Sequence, residues 1–252
     1  MVSFFEALIL GIVQGITEWL PISSSGHLVL VQQFFGIVQP VVFDVVLHMG
    51  SLLAVVLVFW KDIRRLVIGF FRWEKYYVKY AVWLGIATIP IGLVGYFLND
   101  LVKAAFSDVR VVGFSFLFTA LVLFLSKFPS RKEKKLSLKS VVYIGLMQSL
   151  ALLPGVSRSG MTISTGLMNG VKRDEVARFS FLLFIPAIVG AMVLELGSLS
   201  QITEVSSLVF ATLVTAVVGF ISLKWLLKVI KGAKFHYFAW YCLVMGLLVL
   251  MI

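Results

Sequence analysis

Eight long apolar segments, joined by short polar connections, make up almost the whole chain. Six of them are close to the length that a bilayer requires, the last being short, and are predicted to be spanning helices: Phe43–Trp60, Val78–Leu98, Val109–Ser126, Phe179–Leu196, Leu208–Leu227 and Phe238–Ile252. Charged residues make up only 13% of the 252 residues, against about a quarter in a soluble domain. We therefore expect one all-α integral membrane domain over residues 1–252.

The other two apolar segments, Phe4–Phe35 and Val141–Met168, are interrupted near their middles by proline, glycine and serine. The interruptions are Leu20–Gly26 and Leu153–Gly160. Backbone that is broken at membrane depth is tolerated only where protein or a water-filled cavity satisfies its polar groups. Both segments are therefore predicted to be re-entrant helix–loop–helix hairpins, each of which enters and leaves on one face.

The net charge of +10 is concentrated in short connections, at residues 61–79, 127–135 and 224–234. Such clusters are typical of cytoplasmic loops that contact anionic membrane lipids, so nucleic acid is not an expected partner. Lys139 precedes the second hairpin and Lys172 follows it, which predicts that both its ends are cytoplasmic. The first hairpin, the N-terminus and the C-terminus then fall on the outer face.

The two hairpins share a sequence pattern at a constant offset of 134 residues, from position 11 to 145 and from 26 to 160. The matching residues are Gly11, Gln14, Ser23, Ser25 and Gly26 against Gly145, Gln148, Ser157, Ser159 and Gly160. With the opposite orientations of the hairpins, this pattern indicates an inverted-topology repeat of two halves, about 1–126 and about 135–252. Such repeats place their site near the bilayer midplane, where the broken segments meet.

Glu18 lies inside the first apolar hairpin. A carboxylate there costs roughly 2.5–3.5 kcal/mol on insertion scales and usually faces a polar cavity, although an interfacial position is the alternative. Gln14 lies four residues earlier, so both side chains share one face of a helix. Together they could hold a divalent cation or a water.

The run Ser23-Ser24-Ser25-Gly26-His27 follows. Serines before a helix usually do no more than cap it, but three serines with a glycine also favour an anion-binding nest of backbone N–H groups. His27 is the best general acid or base in the chain, or a phosphorus nucleophile, because the imidazole titrates near neutrality. A purely structural histidine is the alternative.

Arg158 lies in the middle of the second hairpin, between Ser157 and Ser159. A buried guanidinium requires an anionic partner, and its planar fork suits phosphate oxygens. The alternative is a structural salt bridge, for which Glu18 is the obvious partner. Thr162, on the next helical turn, would add another donor.

Asp44 and His48 are spaced four residues apart at the start of a span, where they either support the site from behind or are interfacial. The chain has no cysteine–histidine cluster with zinc spacing, no phosphate-binding P-loop, no dinucleotide fingerprint and no G-x-S-x-G elbow. The buried glutamate, serines, histidine and arginine suit a phosphorylated substrate embedded in the membrane. A transporter or lipid flippase would use the same architecture, so the residues alone leave enzyme and transporter open.

The stretches Gly11–His27 and Pro154–Thr162, with Phe43-Asp44-Val45-Val46 and Gly50-Ser51, resemble the undecaprenyl-diphosphate phosphatase family of the bacitracin-resistance type. The resemblance covers essentially the whole chain. It implies a cell-membrane hydrolase that removes the terminal phosphate of undecaprenyl diphosphate, uses Mg²⁺ or Ca²⁺, and opens its site to the outer face. The lipid diphosphate is then the expected partner, and a homodimer is one open arrangement.

Carried over by position, the metal-binding acidic motif of the family falls on Gln14 and Glu18. The resemblance implies Ser24 as nucleophile and His27 as base, and a diphosphate clamp at Ser157, Arg158 and Thr162. The remaining residues expected to bind the substrate are Ser23, Ser25, Gly26, Ser159 and Gly160. Gln14 contributes no negative charge, which puts coordination by two carboxylates in doubt, and the choice of nucleophile among Ser24, His27 and water stays open.

Overall fold

The computed structural model describes residues 2–37, 39–128, 133–202, 205–232 and 234–251. Twelve α-helices lie within these ranges: α1 Phe4–Thr17, α2 Ser24–Phe34, α3 Val41–Val58, α4 Trp60–Phe71, α5 Lys75–Phe97, α6 Asn99–Phe106, α7 Val109–Leu125, α8 Leu138–Ser149, α9 Arg158–Met168, α10 Arg173–Glu195, α11 Val205–Lys231 and α12 Phe238–Leu250. In the same ranges there is no β-strand. Arg131 and Lys132 of one basic connection, and Ile252 at the predicted end of the last span, lie outside the described residues.

All six segments predicted to span are helical, which confirms the all-α prediction. Four helices within the described ranges are long and apolar enough to cross a membrane: α3, α5, α10 with the 3-10 turn that follows it, and α11. The pair α6–α7, bent by 98°, would make a fifth span. The fold is thus that of a helical membrane protein with four or five candidate spans.

The predicted breaks in both hairpins are confirmed as unwound backbone. The helix α1 ends at Thr17, and α2 starts only after Ser23, whose φ of 65° lies in the left-handed region. The Ser23 hydroxyl accepts a hydrogen bond from the Gly26 N–H at 3.3 Å. In the second hairpin the Ser157 hydroxyl accepts one from the Gly160 N–H at 3.1 Å. The serines matched at the 134-residue offset therefore cap their helices in the same way.

The two halves of the chain interlock through the first helix of each hairpin. The helix α1 packs against α11, and α8 packs against α5. A Cβ atom on Gly11 would lie 2.6 Å from the Ala211 carbonyl oxygen, and one on Gly145 would lie 2.8 Å from the Ala87 carbonyl oxygen. These glycines, also matched at the 134-residue offset, permit close backbone contact between helices, as small residues do in membranes.

Two helices were not predicted from the sequence. Residues 61–79 were interpreted as a basic loop, but Trp60–Phe71 forms α4, which is joined to α10 by an Asp62–Arg178 ion pair of 2.9 Å. The connection Asn99–Asp108 contains α6. Helices this short are marginal in isolation and depend on tertiary contacts, which a local pattern does not reveal.

The close helix contacts predict that adding a side chain at Gly11 or Gly145 separates packed helices. We expect Gly11→Leu and Gly145→Leu each to cost at least about 1–3 kcal/mol, the usual effect of overpacking. The measurement is the thermal unfolding midpoint of the purified protein in detergent. Gly85→Leu in α5 is the matched control, because no atom lies within 4 Å of a Cβ there. An unchanged midpoint for Gly11→Leu and Gly145→Leu would contradict the interlocked packing.

Candidate functional site

A cavity of about 520 Å³ lies where the two unwound turns meet. Ser23, Ser24 and Ser25 line it from the first hairpin, and Val156, Ser157 and Arg158 line it from the second. Glu18 and His48 complete its polar end. The rest of its wall is mostly apolar and comes from α3, α5, α6, α10 and the 3-10 turn after α8, with Thr88, Asn99 and Glu195 as its polar members. This arrangement is consistent with the prediction that the two broken segments converge on one site.

The Glu18 carboxylate is the centre of the polar cluster. It is 7% exposed, and its Oε1 accepts a hydrogen bond from the Arg158 guanidinium at 3.2 Å. Its Oε2 accepts hydrogen bonds from the Ser24 hydroxyl at 2.6 Å and from the Gln14 amide at 3.1 Å. The His48 Nε2 lies 3.2 Å from the same oxygen. Four side chains thus converge on one buried carboxylate, two of them from outside its own hairpin.

Arg158 begins α9 and faces the cavity. One of its terminal nitrogens donates to Glu18 and the other to the Ser180 carbonyl oxygen at 3.2 Å. The guanidinium also lies over the Phe184 ring, 4.6 Å from its centroid, which adds a cation–π contact. The salt bridge to Glu18 is therefore present. Because a guanidinium carries five N–H donors, donors are left for a second anion in the cavity.

The two turns are also joined by hydrogen bonds between serine hydroxyls and backbone groups. The Ser23 hydroxyl accepts a hydrogen bond from the Gly155 N–H at 3.1 Å, and the Ser159 hydroxyl donates to the Leu20 carbonyl oxygen at 3.3 Å. A Cβ on Gly26 would lie 2.8 Å from the Gly155 Cα, so only glycine lets the turns cross this closely. Gly155 itself has a φ of 96°, a conformation that favours glycine.

Thr162 and Gly160 lie behind the cavity wall. The Thr162 side chain is fully buried, and its hydroxyl is paired with the Ser180 hydroxyl at 2.6 Å and donates to the Arg158 carbonyl oxygen at 2.8 Å. Thr162 was predicted to donate to the ligand, but the structure directs its hydroxyl into the protein. It supports the turn that carries Arg158.

His27 is turned away from the cluster. Its Nδ1 lies 2.7 Å from the Ser23 carbonyl oxygen, and its Nε2 lies 2.7 Å from the Tyr241 hydroxyl. The ring stacks on Tyr241 and meets Phe116 edge-on. Both ring nitrogens are therefore engaged away from Glu18 and Ser24, and the catalytic role of His27 stays a prediction that these contacts do not favour.

His48 contacts the polar cluster, although the sequence analysis left open whether it supports the site or is interfacial. Its Nε2 faces Glu18, while its Nδ1 lies 2.6 Å from the Asp44 carbonyl oxygen. Both nitrogens face oxygen acceptors, so the imidazolium, which has two N–H donors, satisfies the geometry. Asp44 is held by the Gln32 amide at 2.7 Å. The sequence signal for His48 was that an ionisable residue lies within a predicted span, because such residues in membranes usually have a function.

The residues expected to hold a divalent cation, Gln14 and Glu18, lie side by side in the cluster. Within the described residues, no group of three His, Cys, Asp or Glu side chains could hold a metal ion. Among those residues the buried Gln14 Oε1 also has no hydrogen-bond partner, although it lies beside Glu18. Because Mg²⁺ is often held by one carboxylate together with substrate phosphates, the set fits a cation shared with a phosphate ligand and does not fit one held by protein alone.

Fold and site together define a membrane protein with a buried, charged cluster suited to binding an anion inside the bilayer. The profile of the family described as Bacitracin resistance protein BacA matches residues 7–248. The chain therefore belongs to this family.

Relatives from archaea and bacteria match the chain over almost their full lengths. An undecaprenyl-diphosphatase of Methanosphaera stadtmanae is 40% identical to this chain, and the match covers 100% of this chain and 99% of the relative's length. Undecaprenyl-diphosphatases of Halothermothrix orenii and Methanobrevibacter smithii are 39% and 41% identical, and each covers 99% of this chain. The matches cover both hairpins and the helices α3, α5, α6 and α10 that line the rest of the cavity.

The ion pair between the hairpins predicts a strong coupling in stability. Glu18→Ala leaves the Arg158 guanidinium buried without its anion, which we expect to cost about 3–5 kcal/mol. The double change Glu18→Ala with Arg158→Ala should cost less than the sum of the single changes. Denaturant unfolding of the detergent-solubilised protein measures this cycle. Asp62→Ala is the control, because the half-exposed Asp62–Arg178 pair should contribute about 1 kcal/mol or less. Additive single changes would contradict the coupling.

Proposed function

We propose that this protein is a membrane-embedded phosphatase that removes the terminal phosphate of undecaprenyl or a similar polyprenyl diphosphate. The product is the lipid monophosphate that carries glycans for cell-wall synthesis. The observation that carries this proposal is the cluster of Arg158, Glu18 and Ser24 in one cavity between the hairpins. The relatives named undecaprenyl-diphosphatase support the same substrate.

In the proposed complex the diphosphate lies at the polar end of the cavity. Arg158 faces this space with donors to spare, and the Ser157 and Ser25 side chains line it. Both turns lead into helix N-termini, at Ser24 and at Arg158, where the helix dipole favours an anion. The positive charges of Arg158 and of the His48 imidazolium offset the negative charge of Glu18, which would otherwise repel the phosphates.

Ser24 is the proposed nucleophile and Glu18 its base. The Ser24 hydroxyl already donates to the Glu18 Oε2 at 2.6 Å, so the proton can pass to the carboxylate as Oγ attacks the terminal phosphorus. The bond from that phosphorus to the bridging oxygen breaks, and the lipid monophosphate leaves. Glu18 passes the proton from Ser24 to the leaving monophosphate. Water then attacks the phosphoserine and gives a proton to Glu18, the bond from phosphorus to Ser24 Oγ breaks, and Glu18 returns the proton to Oγ as inorganic phosphate is released. The alternatives are that His27 or a water molecule is the nucleophile.

Charge stabilisation supplies most of the catalysis in phosphoryl transfer. Arg158 is fixed for this task by the Ser180 carbonyl oxygen and the Phe184 ring. Glu18 and the unpartnered Gln14 Oε1 are the residues that would hold a divalent cation together with the substrate. When bound, such a cation would neutralise charge on the phosphate oxygens.

The proposed topology has six spans and two re-entrant hairpins of opposite orientation, arranged as an inverted repeat. The interlocked packing of α1 on α11 and of α8 on α5 supports the repeat. The cavity is lined by α6 and by the ends of α5 and α10 that adjoin the weakly charged connections. Since those connections are predicted to be outside, the site opens to the outer face of the cell membrane, with both termini on the same side.

A transporter or flippase of the same lipid is the competing function. It would also use broken helices and a midplane anion site. The hydrogen bond from Ser24 to Glu18 favours the hydrolase, because it pairs a nucleophile with a base, which transport does not require.

Phosphate release from undecaprenyl diphosphate in detergent tests the assignment. We expect Arg158→Ala and Glu18→Ala each to reduce turnover by about 100-fold or more, as loss of a charge-stabilising group in the transition state does. Arg178→Ala is the control, because Arg178 pairs with Asp62 and does not line this cavity. A flippase would move the lipid between leaflets and leave the diphosphate intact. Near-native turnover of either variant would show that its assigned role is wrong.

The contacts of Ser24 and His27 separate the two candidate mechanisms. We expect Ser24→Ala to lose about 100-fold or more of the turnover, while His27→Gln retains most of it because its ring faces Tyr241. Rapid denaturation in detergent at neutral pH, with a substrate labelled in the terminal phosphate, should leave an acid-stable label on Ser24, whereas a phosphohistidine would lose its label in acid. A label on His27, or the opposite ranking of the two variants, would assign the nucleophile to His27.

A further inference from the structure

Beyond the polar cluster, the cavity continues as an apolar cleft between α5 and α10. Small residues face it at helical spacing, Gly92 and Gly95 from α5 and Ala187, Gly190 and Ala191 from α10. Residues three and four apart lie on one face of a helix, so each helix turns one stripe of small residues towards the cleft.

The glycines of this cleft have a different environment from those that pack helices together. Among the residues that the structure describes, no atom lies within 4 Å of a Cβ built on Gly92 or Gly190, and on Gly95 the nearest atoms are leucine methyl groups at 3.7 and 3.8 Å. By contrast, a Cβ on Gly145 would meet the backbone of α5. Helix packing therefore does not account for Gly92 and Gly190, and what they provide is open space.

The open space lies beside the lipid-facing surface. Gly92 and Gly190 are both exposed. Their neighbours Leu93 and Val193 are 53% and 60% exposed, as expected of side chains that contact lipid. An apolar guest in the cleft can therefore extend sideways into the bilayer.

The two ends of the cleft differ in chemistry. At one end Phe184 lies under the Arg158 guanidinium. At the other end the buried Glu195 pairs with Lys103 at 3.0 Å, which ties α6 to α10. Phe184 and Glu195 are eleven residues apart on one helix, which corresponds to about 16 Å along its axis. Between these ends the cleft is lined by Ile91, Ala187 and Ile188 together with the small residues, so it suits an elongated ligand with an anionic head at Arg158 and an apolar tail.

We propose that the cleft between α5 and α10 holds the first isoprene units of the lipid tail, and that Gly92 and Gly190 determine which lipid diphosphates are accepted. This inference rests on the proposed function and names the part of the site that recognises the tail. The cavity of about 520 Å³ suits a ligand of drug-like size. Most of a long polyprenyl tail therefore leaves the cleft between the two glycines and lies in the bilayer.

The test compares lipid and head-group recognition in Gly92→Leu and Gly190→Leu. The Michaelis constant and turnover are measured for undecaprenyl diphosphate, and inhibition by inorganic pyrophosphate reports the head-group site alone. We expect kcat/KM for the lipid to fall by about tenfold or more, since a single misplaced methylene in an apolar pocket already has such an effect. The inhibition constant of pyrophosphate should stay within about twofold, as for a change remote from the anion site.

Gly85→Leu is the matched control, since Gly85 lies on the same helix, is exposed and does not line the cavity. It should leave both constants unchanged. Unaltered lipid kinetics in Gly92→Leu and Gly190→Leu would overturn the inference and leave the proposed function standing. An equal loss of lipid and pyrophosphate recognition would also overturn it, because the glycines would then be structural. If the unaltered protein releases no phosphate from the lipid, the proposed function fails and the inference falls with it.

Discussion

The ion pair between Glu18 and Arg158 is the interaction on which the arrangement of the two hairpins depends. It joins residues 140 positions apart, the buried Glu18 and an Arg158 side chain that is only 12% exposed, in a region where water does not compensate an unpaired charge. Unwound backbone at this depth must also find partners inside the protein. The Thr119 hydroxyl meets part of that need, because it accepts a hydrogen bond from the Ser157 N–H and donates to the Gly155 carbonyl oxygen. The charged pair and the unwound turns therefore stabilise each other.

The same cluster is suited to chemistry because its charges are held in place before a ligand arrives. Ser180 and Phe184 fix the Arg158 guanidinium from behind, so little reorganisation is needed when an anion binds. Glu18 has two tasks, as partner of Arg158 through one oxygen and as acceptor for Ser24 through the other. Loss of Glu18 should therefore affect stability and turnover together.

Glycine has two opposite uses in this protein, and the surroundings of each glycine distinguish them. Gly11 and Gly145 lie against the backbone of another helix, and thereby lock the two halves together. No atom of the described residues lies within 4 Å of a Cβ built on Gly92 or Gly190, so these two glycines leave the cleft open. Both kinds occur in apolar helices of similar composition, so the sequence alone does not separate a packing glycine from one that makes room for a ligand.

The sequence by itself determined the helical membrane class, the two broken segments, the pattern repeated at 134 residues and the choice of Glu18, Ser24 and Arg158 as candidate site residues. These follow from the cost of charge and unpaired backbone in lipid, which depends on composition and local pattern alone. Only the tertiary structure decided that His48 contacts Glu18 while His27 turns towards Tyr241. The physical reason is that both histidines lie within helices, and the direction of each ring depends on which distant helix packs against it. The helices α4 and α6 were not predicted for the same reason, because contacts with other helices stabilise them.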